Sequence, residues 1–246
     1  MRAANLRKTA PRKKEASAQD TISLAGRDIP LVVRRNRQAR RVVLRIDVEA
    51  GGIALTLPGR TALAEGLVLA HERADWVIRC LDKLPARVPF ADGAAVPLLG
   101  IDTKVRHAPD TRHGVAHIDG ELIVSGRLEH VARRIEDWLK REAKREIVQR
   151  AYPMAERIGR TIAGLTVRDT RSRWGSCTPD GKLSFCWRLI LTPDWVLDYV
   201  VAHEVAHLAH LNHGPKFWQT VKSLGVKPEQ ARAWLDVHAE RLQRIG

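Results

Sequence analysis

Apolar and polar residues alternate along the first part of the chain. TISLAG (21–26), DIPLVVRR (28–35), RRVVLRID (40–47) and GGIALTLP (51–58) each read as a short strand bounded by Gly or Asp. Together they predict a small antiparallel sheet over about 21–58. The period then lengthens. Leu63, Leu67, Ala70, Ala74, Val77 and Leu81 form one stripe, which predicts a helix ended by Pro85 and Pro89. Strand-like pieces return in AAVPLLG, IDTKVRHA, GVAHIDG and ELIVSG. A long charged helix follows over 128–159, with Val131, Ile135, Trp138 and Leu139 on one side and Pro153 as the expected kink. No internal repeat is visible.

The last third is denser in signals. Two apolar runs flank the turn PDG (179–181) and predict a hairpin. The next helix is expected from Thr192 as N-cap, with Pro193 in the first helical position and Asp194 near the positive end of the dipole. It should stop at NHGP, where Gly214 permits a left-handed turn and Pro215 cannot continue. A final helix is expected over 228–244. The fold class that follows is α+β. A β-rich N-terminal region with one helix is expected over 21–126, a second domain over 127–246, and a basic disordered tail over 1–20.

Composition adds one feature. The formal net charge is +14, which favours polyanions. Many arginines lie in 32–45, as a binding patch or as a solvated basic face. The three cysteines, Cys80, Cys177 and Cys186, imply no disulfide framework and suit a reducing cytoplasm. No apolar run is long enough to span a membrane.

The candidate chemistry lies in HEVAHLAHLNHGP. His203 and His207 are four apart, so a helix places both on one face. Glu204 is one position round, free of the ion and able to face a bound water. A catalytic zinc usually has three protein ligands and an open position. His210 lies seven residues beyond His203, about 10 Å along a straight helix at about 1.5 Å per residue, too far for bonds of about 2 Å. A chain that turns at NHGP can bring His213 back instead. The expected metal ligands are therefore His203, His207 and His213, the metal is Zn2+, and Glu204 is the catalytic general base.

Other residues carry weaker signals. Arg171 and Arg173 precede the hairpin, where they would hold a carboxylate or phosphate or pair with a surface acid. Tyr199, one turn before His203, reads as a partly buried tyrosine, with oxyanion stabilisation as the alternative. His71, His107, His113, His117, His130 and His238 lack ligand spacing.

RWGSC (173–177) followed by HEVAHLAHLNHGPKFW (203–218) resembles the YgjP-like zinc metallopeptidase family, related to SprT-type and WLM-type proteases. The likeness is strongest over about 127–225. It implies a zincin-like core with an HExxH active-site helix, a peptide or protein substrate, and an RWGSC strand bordering the cleft. It also implies that Phe217 and Trp218 pack behind His213. A member of the family is associated with metal-dependent hydrolysis of UTP to a monophosphate and pyrophosphate, so a nucleoside triphosphate is the alternative substrate. A basic nucleic-acid-associated protein is the third reading, though helix–turn–helix, zinc-finger and RNP signatures are missing.

Overall fold

A computed structural model describes residues 19–246. Most of the expected basic tail, residues 1–18, lies outside the described residues. The chain divides into two compact units, with the boundary between Leu84 and Pro85. The sequence reading placed the boundary at 126–127. The strands over 95–124 instead belong with the second unit, because the long helix that follows them packs on their sheet.

In the first unit, β1 (Gln19–Leu24), β2 (Arg27–Asn36), β3 (Val43–Asp47) and β4 (Gly52–Pro58) lie in the order β1-β2-β4-β3. The outer pairs are antiparallel, but β2 and β4 run parallel at the centre, so the sheet is mixed. The expected single helix is two, α1 (Leu63–Glu72) and α2 (Ala74–Asp82), broken at Arg73. The buried stripe starts at Gly66 rather than at Leu63, which is 40% exposed. Gly66 lets α1 sit close on β4, since a Cβ there would come within 2.8 Å of Leu57 Cδ2.

The second unit opens with β5 (Ala95–Leu98), β6 (Ile101–His107), β7 (Val115–Ile118) and β8 (Glu121–Val124), in the order β5-β6-β8-β7. Again the outer pairs are antiparallel and the central pair parallel. This repeats the arrangement of the first unit strand for strand. The first hairpin turns also correspond, with Ala25 and Gly26 at φ 49 and 76 and Leu99 and Gly100 at φ 50 and 83. The sequence reading missed this repeat because side-chain identity survives at only a few turn positions, such as LAGRD against LLGID.

The helix α3 (Val131–Arg157) runs unbroken through Pro153. Val131, Ile135, Leu139, Ala143, Ile147, Ala151 and Ala155 recur every four residues and are all buried. A three-stranded sheet follows, order β10-β11-β9, from β9 (Gly164–Arg168), β10 (Gly175–Cys177) and β11 (Lys182–Cys186). β10 and β11 form the expected hairpin, and β9 pairs parallel with β11. A buried 3-10 turn, Trp187–Leu191, leads into α4 (Asp194–Ala206), then α5 (Pro215–Ser223) and α6 (Pro228–Gln243). Phe185, Trp187, Val201, Val205 and Phe217 anchor the core beneath these helices.

Thr192 does not cap α4. Its buried hydroxyl donates backward to Leu189 O at 2.7 Å, and Pro193 holds the cap position. Arg150 of α3 fastens the start of α4, reaching Asp194, Asp198 (2.7 Å) and, on its own helix, Glu146. Burial lowers the affinity of this guanidinium for its proton, and the carboxylates of Glu146, Asp198 and Asp194 more than reverse that, so it stays charged. Arg150→Ala should lower stability in denaturant titration by about 2 kcal/mol. That is less than the ~3–5 kcal/mol of a fully buried pair, because Asp194 is 58% exposed.

Candidate metal centre

The helix α4 ends earlier than its apolar pattern predicts. Its last helical residue is Ala206, and His207 is the C-cap. Leu208 N and Ala209 N donate to the carbonyls three residues back, and the His207 ring closes on His210 O at 2.9 Å. The chain then turns and re-enters a helix at Pro215. Gly214 serves as the cap of α5 in extended backbone (φ -73, ψ 179), so the left-handed turn expected there is not formed.

This turn brings His213 beside the helix. Its Nε2 lies 3.1 Å from Nε2 of His203, and one ring nitrogen from each of His203, His207 and His213 falls within 4.8 Å of the others. Among the described residues this is the only such group of histidine, cysteine and acidic side chains. Phe217 lies beneath it, fully buried, with its ring centre 4.9, 4.6 and 4.7 Å from those of His203, His207 and His213. Trp218 borders the group at 6.0 Å from His203 and 5.9 Å from His213.

The donor chemistry fits a cation. The contact to His210 O requires Nδ1 of His207 to carry the proton, which leaves the Nε2 lone pair free. Nδ1 of His203 faces the Tyr199 hydroxyl at 3.5 Å, which orients its Nε2 inward. The Nε2 lone pairs of His203 and His213, 3.1 Å apart, repel unless a proton or cation lies between them, and a tetrahedral ion with bonds of about 2 Å separates its ligands by about 3.3 Å. Burial, with the neighbouring imidazoles and Arg232, pushes His203 down to about 4. Burial also lowers His207, partly opposed by its bond to His210 and aided by His213. Both rings are therefore in the neutral, ligand-competent form at pH 7.

Glu204 points from α4 toward β10 and is 6% exposed. Gly175 makes room for it: a Cβ there would lie 2.5 Å from Glu204 Cγ and 2.6 Å from Oε1. Burial raises the carboxyl to about 7, with the Arg173 charge opposing. A cation held by the imidazoles would draw it back down. Cys177, next along β10, is pushed up to about 11 by burial, then by the charges of Glu204 and Asp180, so it stays an unreactive thiol.

The other expectations sort themselves by position. His210 contributes its carbonyl, and its ring stays out of the group. His238 stacks on Trp234 at 4.3 Å, apart from the triad. The Tyr199 hydroxyl is engaged at His203 and not at an open position. Trp174 is partly buried against the core and also lines a cleft of about 520 Å³ with Gly175, Tyr199, His203 and Glu204. The far wall of that cleft is α6, through Arg232, Leu235, Asp236 and Glu240. Sequence reasoning had assigned nothing to this helix, because no spacing links residues 232–240 to the histidines.

Three imidazoles converging beside a buried carboxylate in a cleft define a candidate metal centre of the hydrolytic kind. The chain belongs to the YgjP-like family: the model of the YgjP-like metallopeptidase domain matches residues 40–238. The match extends on both sides of the stretch that bears the motifs. Comparison with curated proteins gives no match, and neither does comparison with solved structures. No helix among the described residues is long and apolar enough to cross a membrane.

Two measurements test this geometry. Gly175→Ala should leave fold and metal content intact but displace Glu204, cutting turnover at least about tenfold; unchanged turnover would show that the contact is not needed. Zinc added to the metal-free protein should raise its melting temperature, as expected for a ligand that binds only the folded state. His213→Ala should shrink that rise and lower the zinc measured by elemental analysis.

Proposed function

We propose that this chain is a zinc-dependent metallopeptidase with His203, His207 and His213 as ligands and Glu204 as general base. One observation carries the reading: the three imidazoles converge on one point beside a buried glutamate that no described side chain hydrogen-bonds. An all-nitrogen set with three members suits zinc and leaves room for water. The ion, when bound, supplies a Lewis acid that acidifies water and polarises a carbonyl.

The chain's own residues do the rest. Glu204 accepts a proton from the attacking water and returns it to the leaving amine. Tyr199 and the His210 carbonyl hold the His203 and His207 rings in orientation. β10 is an edge strand, paired on one side by β11 and with no strand on the other among the described residues. An extended peptide added to that free edge would pass in front of Glu204. The zincin-like core implied by the sequence motifs is part of the same reading.

A nucleoside triphosphate is the second reading. It draws on a groove over the outer face of the three-stranded sheet, lined by Arg168, Arg173 and Lys182 together with Thr166, Ser176, Thr178 and Ser184. Cations and hydroxyls in that combination suit phosphate. Lys182 is already engaged by Asp180, which weakens the case.

Unfolded proteins and peptides should be cleaved in a zinc-dependent, chelator-sensitive way. Glu204→Gln should lose at least about a thousandfold in kcat while still binding zinc. Pyrophosphate release from nucleoside triphosphates without any peptide cleavage would transfer the site to the second reading.

A further inference from the structure

The cleft beside the triad has a cation in its wall. Arg232 projects from α6 into the wall that also holds His203 and Tyr199. Its guanidinium carbon stands 6.0 Å from the ring centre of Trp218, which itself borders His203 and His213. Its charge reaches the site, where it acts on His203 and Tyr199. No carboxylate among the described residues lies within ion-pair distance of it, although Asp236 is one turn further along the same helix. Asp236 and Glu240 also line the cleft. The cleft wall formed by α6 therefore carries both signs of charge, and Arg232, Asp236 and Glu229 all act on Tyr199. Leu235, Val237 and Ala239 supply apolar lining.

A planar guanidinium held on an aromatic face and left without a partner is preorganised to take a carboxylate through a two-pronged hydrogen bond. We infer that Arg232 is the specificity-determining residue of the cleft and binds a substrate carboxylate next to the scissile bond. This rests on the peptidase reading above and narrows it: the favoured substrates are peptides that place a negative group beside the bond to be cut. That group has two possible sources, the free C-terminus of the peptide or an Asp or Glu side chain.

Paired peptides separate them. One pair differs only in a C-terminal acid against its amide, and the other in Asp or Glu against Asn or Gln beside the cleaved bond. The zinc-loaded wild-type protein should favour the carboxylate member of one pair by about ten- to a hundredfold in kcat/KM, the size expected for a charge-assisted bidentate contact. Arg232→Gln should lower kcat/KM for the carboxylate member far more than for its neutral partner, so that the ratio between them falls to about one, and Arg232→Lys should restore part of it. Dissociation constants for the same peptides on Glu204→Gln, and on Glu204→Gln combined with Arg232→Gln, should show the same preference and the same loss without turnover.

Equal kcat/KM for both members of both pairs would overturn the inference while leaving the peptidase reading intact. So would an Arg232→Gln protein that loses activity equally on all peptides, since that marks a structural role. A wild-type protein that cuts no peptide removes both readings together.

Discussion

The short reach between His207 and His210 governs the site. One imidazole N–H donating to one carbonyl at 2.9 Å closes the end of α4 and sets the direction in which the chain leaves it. Had the helix run on to His213, that ring would have stood more than two turns from His203, at about 1.5 Å of rise per residue. Because it stops at Ala206, the next residues fold back over the helix end, and Pro215 starts α5 at the angle that slides Phe217 under all three rings. The bond that ends the helix also selects the tautomer of His207, so backbone geometry and ligand chemistry are fixed by a single contact.

The local chemistry was legible because it depends on near neighbours. Residues four apart share a helix face, which paired His203 with His207, and the Gly-Pro pair signalled a turn that would return His213 to them, although α4 ends eight residues before Gly214. The manner of the ending was not legible. The apolar run through Leu208 and Leu211 suggested more helix, and only a side chain reaching its own backbone three residues on stops it. Glu204 could be singled out from the motif, but its neighbour could not. That Gly175 yields space to a carboxylate from another element is a non-local fact. The same holds for α6, whose contribution to the cleft depends on where a helix lands after two turns of chain.

Fold organisation was legible strand by strand and failed at the level of pairing. The strands of the two four-stranded sheets were visible as alternation, whereas β9 was not read as a separate strand, and alternation does not say which neighbours pair or in which sense. Both four-stranded sheets place their second and fourth strands parallel at the centre, so each pair of hairpins is joined by a crossover and not by a simple meander. The repeat of that arrangement in the two units escaped notice for a related reason. Strand burial needs only apolar side chains at every other position, so many sequences satisfy it, and only turn residues with positive φ are constrained enough to stay recognisable.

The open edge at β10 has a consequence for the protein's behaviour in concentrated solution. An unpaired strand edge invites another copy of the chain as readily as it invites a guest, which is how many sheet proteins come to aggregate. Here the exposed edge is three residues long, and one of them is a glycine with no side chain to add grip. So short a template gives a second copy too few backbone bonds for lasting self-association. The β10 edge can thus stay open to a guest strand without being a strong template for a second copy.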